Sequence, residues 1–490
     1  MAKLTKQDAQ QLLTLIAEMG SAGSAEAEPD ANFLSRYLPL PEHARALDPQ
    51  VVLVIGDRGA GKTELFRAIQ FPAGLREIRR LSTAGSLPDP SKSSWLVGYC
   101  TSGTEYPAQS VFREFSRDKQ PADLQLLWLG LLLRCLHRAN VPLTNQLPPQ
   151  VQQALASDCA LPILFRAIQQ ELEECFRTLD RIDAGSAETD RWVFVNYDEL
   201  DRVSAGDWNE LRTILRGLVQ FWSSYARRWK RLRPKIFLRR DLFDRVALFG
   251  PDVSKIAAQR VELVWTARNL YALSAKRLVN HSPLLRQYFD PILPPGEDRQ
   301  ELGWCPTAPK DEDYRKFIER MCGRFMGAEP AKGQSFTWII NHLQDGFRRV
   351  LPRSMVRFFE SAAEIERRNQ KAEPPRLLHH TSMRAAVDQV SLSRVQEIED
   401  EEFPWMKTVR SRLQTTHPQV PIERWELERL LVIDWAGTSE RPPETSGHSL
   451  LQLLIELGIF YLRADGRVDA RDLYLKGFGL KRKGGVARPY

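Results

Sequence analysis

The strongest chemical signal in the sequence is the run Gly56-Asp57-Arg58-Gly59-Ala60-Gly61-Lys62-Thr63. It fits the pattern GxxxxGK[ST], in which glycines let the backbone wrap closely around a phosphate where side chains would collide with it. Backbone N–H groups then point inward, and the positive end of the following helix faces the anion. In such a loop Lys62 reaches the β- and γ-phosphates and the Thr63 hydroxyl ligates Mg²⁺. The chemistry expected is therefore the binding of ATP with Mg²⁺.

Hydrolysis needs a carboxylate for the metal shell and a second one to orient or deprotonate water. Val193-Phe194-Val195-Asn196-Tyr197-Asp198-Glu199 supplies both at the end of a strand, where parallel sheets place ligand sites. Asp198 is the expected metal ligand and Glu199 the expected general base, with Asp201 capping a helix or orienting a neighbour. Arg239 and Arg240 follow a further strand that sits beside the phosphate loop in this fold class. An arginine there senses the γ-phosphate, or the pair belongs to a basic surface, since Arg227, Arg228, Lys230, Arg231, Arg233 and Lys235 precede it. Arg353, at a helix start in LPRSMVRFF, either reaches the nucleotide from a lid or caps its helix.

Positioning these residues calls for strands at Val51–Val54, Ser94–Cys100, Trp192–Asp198, Lys235–Leu238 and Arg260–Trp265. Helical patterns lie between them at Ala122–Ala139, Leu161–Leu179 and Trp208–Arg228, so the pattern is α/β with a parallel sheet. Lys62 and Asp198 lie far apart for a minimal fold of this kind, which requires a largely helical insertion around the second strand. Segment Ala122–Leu179 supplies it. After about Ala267 the pattern turns helical, and near the end SLLQLLIELG followed by a hairpin at Asp465-Gly466 suggests a winged helix.

The expected organisation is an N-terminal helix and flexible linker over 1–32, a P-loop core over 33–268, a helical lid over 269–425 and a winged-helix-like module with a basic tail over 426–490. A length of 490 residues, 43% hydrophobic and 27% charged, fits about three globular domains and excludes disordered, collagen-like and disulfide-scaffold classes. The formal charge of +7 is mild, and its informative part is local: Arg227–Arg240 and the tail Lys476, Lys481, Arg482, Lys483 and Arg488. Six cysteines lie apart without zinc spacing, which points to a reducing, cytoplasmic setting. The apolar run LLWLGLLL falls short of the ~20 residues that span a bilayer and reads as a buried helix, so no membrane association is expected.

The segments GDRGAGKTELFRAI, VNYDELD, FLRRDLF and PRSMVRFF, in this order, resemble the AAA+-type P-loop ATPases related to origin-recognition and STAND proteins. The segments FLRRDLF, PDVSKIAAQRVELVWTARNLYALSAKRL and GRVDARDLYLKGFGLKRKGGV are similar to a bacterial P-loop ATPase group. The resemblance implies a five-strand ASCE core, a helical lid and a C-terminal winged helix. It also implies ATP and Mg²⁺ roles for Lys62, Thr63, Asp198 and Glu199, a strand-four arginine at Arg239 and a lid sensor at Arg353. The function so implied is a Mg²⁺-dependent ATP-hydrolysing switch that controls an effector protein in a genome-defence or signalling module, as a homo-oligomer. Two alternatives stay open: a DNA-binding AAA+ ATPase that positions another factor on DNA, and a nucleotide-binding scaffold that does not hydrolyse.

Overall fold

The computed structural model describes residues 4–20, 30–82, 87–101, 106–107, 109–117, 119–157, 160–203, 208–225, 227–246, 258–307, 310–436, 438 and 440–484. Most of the Gly20–Asn32 linker, the start of PDVSKIAAQ, Cys159 and Arg488 lie outside the described residues. The chain divides into two compact units, Pro39–Val264 and a second one made of Met1–Leu38 with Trp265–Tyr490. The N-terminal helix therefore counts with the later helical region, and the division after the core falls at Val264.

In the unit Pro39–Val264 the five expected strands form one parallel sheet: β1 (Leu53–Gly56), β2 (Ser93–Tyr99), β3 (Trp192–Tyr197), β4 (Leu232–Arg239) and β5 (Arg260–Glu262). Their order is β2-β3-β4-β1-β5, with β4 between the loop-bearing strand and the acidic strand. That order, with the phosphate loop after β1 and the acidic pair after β3, is the ASCE arrangement of the P-loop fold. Every residue of β1 and β4 is buried, which accounts for the apolar runs Leu53–Ile55 and Ile236–Leu238 within them. β5 is shorter than expected, although the Leu263 N–H still bonds to the Ile55 carbonyl at 2.8 Å.

The insertion between β2 and β3 is helical. Its longest helix, Pro121–Arg138, packs on β2 and on the helix Trp208–Tyr225, and buries the LLWLGLLL run. Trp128 sits at its centre, edge-on to Tyr99 and Tyr197, with its indole N–H donating to the Ile214 carbonyl at 3.1 Å. The expected single helix Leu161–Leu179 is two, Leu161–Gln170 and Leu172–Glu188, broken at Glu171.

The second of these helices anchors β4. Asp183 accepts the backbone N–H groups of Lys230, Arg231 and Leu232 at 2.9, 2.6 and 2.9 Å. Its neighbour Asp180 takes the Arg228 guanidinium on both oxygens and the Trp229 indole N–H at 3.0 Å. Arg231 pairs with Asp190 at 3.1 Å and lies over the Trp192 ring. Arg233 and Lys235 are buried in the strand, where the Lys235 ammonium donates to the Val51 carbonyl at 2.6 Å. The basic run is thus largely the fastening of a central strand, and only Arg227, Arg228 and Lys230 in its first half are exposed. Asp183→Ala leaves three strand-entry donors without their acceptor and is expected to lower the free energy of unfolding by about 3 kcal/mol or more, read by urea denaturation.

In the other unit, the helix Lys6–Ala17 starts at a capping box of Thr5 with Asp8 and buries Leu12, Leu13 and Ile16 against the helix Pro352–Asn369. The Asp465-Gly466 turn is present, with Gly466 at φ +82°, joining the antiparallel strands Phe460–Leu462 and Val468–Ala470. Before them come the helix Met406–Thr416, the strand Gln419–Val420 and the helices Arg424–Leu430 and Gly447–Glu456. Ile422 bridges to Val468, which adds this earlier segment to the hairpin. The closing helix Asp472–Phe478 packs on His380–Glu397, where the Gly477 N–H donates to the Ser391 hydroxyl at 2.9 Å and a Cβ on Gly477 would meet Val395 at 2.3 Å. Among the described residues, no helix is long and apolar enough to cross a membrane.

Candidate functional site

The loop leaves β1 at Gly56 and enters the helix Lys62–Ala68 at Gly61. A Cβ on Gly56 would stand 3.0 Å from that of Ala60, a tight contact that Ala60 would have to yield to. Gly59 and Gly61 adopt φ of +80° and +90°, values that favour glycine. The Lys62 ammonium folds back under the loop and donates to the carbonyls of Gly56 at 2.9 Å and Asp57 at 3.0 Å. Burial pushes its pKa down, against the pull of Asp198, Asp201 and Asp57.

Asp198 and Glu199 follow β3 at the same edge of the sheet, both buried. The Asp198 N–H continues the ladder to the Tyr99 carbonyl at 3.0 Å. Its carboxylate lies close to the Thr63 hydroxyl, the Glu199 backbone N–H and Lys62, each of which favours its charged form. One of its oxygens, Oδ2, is buried and has no hydrogen-bond partner. An orphaned carboxylate oxygen beside a loop threonine fits a hard divalent cation, which takes oxygen ligands, so Thr63 and Asp198 are the residues that would hold Mg²⁺. No cluster of three or more His, Cys, Asp or Glu side chains suited to a metal occurs among the described residues.

Burial raises the Asp198 pKa to about 6, with Glu199, Lys62 and Thr63 opposing the rise. The folded protein then holds this proton more tightly than the unfolded chain, so its ionisation costs stability as pH climbs from the ordinary carboxylate range through 6. Asp198→Asn removes that cost. The variant is expected to be more stable than the parent at pH 7.5 by about 3 kcal/mol, a gain that shrinks as pH falls toward 4. Denaturant titrations of the nucleotide-free protein at several pH values check this.

Glu199 is held by residues that sequence reasoning missed. Its Oε2 accepts from the Thr101 backbone N–H at 2.7 Å and from the Thr101 hydroxyl, and Oε1 pairs with Arg202 at 3.2 Å. Its backbone sits at φ +55°, an uncommon conformation for glutamate that concentrates at functional sites. The one sequence signal for Thr101 was its place just after β2, at the edge where the loop and the acidic pair also end.

Arg239 closes β4 at that edge and is buried. Nε and Nη2 donate to the two oxygens of Asp241 at 3.0 and 2.7 Å, and Nη1 lies 3.3 Å from Asp201 Oδ2. Arg240 pairs with the loop residue Asp57 at 3.4 Å and with Glu262 of β5 at 2.8 Å. Arg58, also of the loop, reaches Asp201 Oδ2 at 3.7 Å. The structure thus brings together the loop Gly56–Thr63, Asp198, Glu199, Arg239 and Arg240. Arg353 belongs to the other unit, in the first turn of Pro352–Asn369, where it pairs with Glu397 at 3.4 Å and with Glu401 at 4.0 Å.

No family model and no curated protein matches the sequence. Among solved structures, the chain is similar to the ORC2 protein of Aeropyrum pernix in its ADPNP–ADP complexes, at 13% identity and a TM-score of 0.38 over 87% of this chain and 84% of that one. It is similar to a Walker-type ATPase of Pyrococcus abyssi at 14% identity and a TM-score of 0.37 over 89% and 94%. Cdc6p from Pyrobaculum aerophilum aligns at 13% identity and a TM-score of 0.28 over 87% and 86%. At these low values the fold assignment rests on the sheet order and the loop themselves.

Proposed function

We propose that the chain binds ATP with Mg²⁺ in the loop Gly56–Thr63 and hydrolyses it. One observation carries this reading: the Lys62–Thr63 loop and the Asp198–Glu199 pair meet at one sheet edge, with the Thr63 hydroxyl beside Asp198 and Asp198 Oδ2 buried without a partner. The loop backbone and Lys62 bind the phosphates, and Thr63 and Asp198 hold the metal, which when bound supplies charge neutralisation to the phosphates. Glu199 takes the proton from the attacking water, and Thr101 and Arg202 fix its carboxylate until then. Arg239 is placed beside the loop to answer charge on the γ-phosphate, and Arg353 is the lid arginine of the same reading. Mg²⁺-dependent phosphate release from ATP, measured beside the Glu199 and Lys62 variants discussed below, tests the reading. The absence of turnover in the parent protein together with tight ATP binding would favour the non-hydrolysing scaffold.

The finer role proposed with that cycle rests on the family resemblance of the sequence: a nucleotide-driven switch, working as a homo-oligomer, that presents or withdraws a surface for an effector protein in a genome-defence or signalling module. Size measurements with ATP, with ADP and without nucleotide test whether assembly follows the nucleotide. A second reading is favoured by the C-terminal module. Its order of helix, strand, two helices and hairpin, with Ile422 bridged to Val468, supports the winged-helix expectation, and Lys476, Lys481 and Lys483 are exposed nearby. On this reading the chain positions another factor on DNA, and retention on duplex DNA falls steeply with salt. No retention at low salt would remove it.

A further inference from the structure

Asp201 stands where three parts of the unit Pro39–Val264 converge. It lies in the short helical turn Leu200–Arg202 that follows β3. A single oxygen, Oδ2, faces two guanidinium groups: Arg239 at the end of β4, at 3.3 Å, and Arg58 of the phosphate loop, at 3.7 Å. The side chains of both arginines are mostly shielded, 6% and 11% exposed, so the pairs are screened far less than surface ones. Burial pushes the Asp201 carboxyl up, but Arg239, Arg58 and Lys62 outweigh it and hold it below the usual carboxylate range. Asp201 therefore stays ionised at neutral pH, as a shared counter-charge to cations contributed by the loop and by β4.

We propose that Asp201 is a positioning residue that ties the phosphate loop to the acidic turn and to the end of β4 by holding Arg58 and Arg239 on one oxygen. Three features support this. Arg239 is gripped from both sides, by Asp241 along one edge and by Asp201 at Nη1, so its plane is fixed by two carboxylates from different positions. Arg58 occupies a variable position of the loop motif, and its link to Asp201 joins the loop to the turn that carries the proposed base Glu199. The geometry also predicts a split. Asp201 is an anion beside Lys62, so its removal takes repulsion away from an incoming triphosphate, whereas the arginines it orients lose their place.

The inference deepens the nucleotide reading and rests on it for its catalytic part. Its test has two arms. In the nucleotide-free protein, Asp201→Asn is expected to raise amide hydrogen exchange in residues 57–60 and 200–202 at least tenfold, with exchange in the helix Pro121–Arg138 unchanged. With MgATP, the same variant is expected to lose ten- to a hundredfold in kcat while ATP affinity measured without Mg²⁺ stays equal or tightens, and Asp201→Glu is expected to recover part of the loss. In a background carrying both Arg58→Gln and Arg239→Gln the Asp201→Asn change should cost less than threefold, since both groups it positions are gone. Unchanged exchange, equal losses in both backgrounds, or affinity weakening in step with kcat would each overturn the inference. A parent protein that neither binds nor hydrolyses ATP would instead overturn the nucleotide reading, and the exchange arm would still decide whether Asp201 ties the loop down.

Discussion

Glu199→Gln is expected to lower steady-state ATP hydrolysis by two to four orders of magnitude, with ATP binding kept within a few-fold. A positioned general base contributes on the order of 10²–10⁴ in rate, about 3–5 kcal/mol of barrier. Glutamine has the same length and volume, and its carbonyl can still accept from the Thr101 N–H and hydroxyl that hold Oε2. What it loses is the capacity to take a proton at neutral pH and the partly exposed pair with Arg202, a contact of little energetic weight. Phosphate release against nucleotide affinity, measured on one preparation, separates the two effects. Equal rates for parent and variant would remove Glu199 as the base, and a parallel collapse of binding would assign it a structural role instead.

Lys62→Ala is expected to weaken ATP binding about a hundredfold or more and to bring turnover to background. The ammonium already lies under the loop, satisfied by the Gly56 and Asp57 carbonyls, so a phosphate needs only a small shift to claim its charge. Charge-assisted bonds in such a partly water-free site are roughly twice as strong as neutral ones, and about 3 kcal/mol corresponds to the hundredfold loss. The substitution also leaves Asp198, Asp201 and Asp57 with one cation fewer. Lys62→Met, which keeps the aliphatic stem, controls for lost packing. Both variants should fall together in a fluorescent-nucleotide titration. Unchanged affinity in both would mean that the loop does not hold the phosphates.

How much of this was legible depended on how far apart the interacting residues lie in the chain. β1, the loop and its helix were readable because an apolar run, three glycines and a helical apolar spacing follow one another without a gap, and the acidic pair closed a strand just as plainly. β4 was seen only in its Lys235–Leu238 part, because Leu232–Pro234 mixes arginine and proline with leucine. Arg227 to Lys235 read as a candidate contact surface because the partners Asp180, Asp183 and Asp190 lie some forty to fifty residues upstream, on or just past a helix that periodicity places but does not orient. Thr101 had no local mark beyond its place just after β2. Its role depends on the parallel pairing of β2 with β3, which sets Tyr99 beside Tyr197 and so brings Thr101 near Glu199. The break at Glu171 was hidden because apolar residues continue on both sides of it.

The three backbone bonds that Asp183 accepts bear on how this core could change over time. The helix Leu172–Glu188 falls within an insertion, and insertions between strands are the parts of a fold most readily shortened or exchanged. Here the segment that looks dispensable supplies the acceptors for the first N–H groups of the strand lying next to the phosphate loop. A descendant that trimmed this helix would have to find another acceptor for those donors in the same step, or accept a frayed strand beside Arg239. Through Asp183 the insertion helps hold the entry of β4, so the length of this chain between its two motifs serves the core.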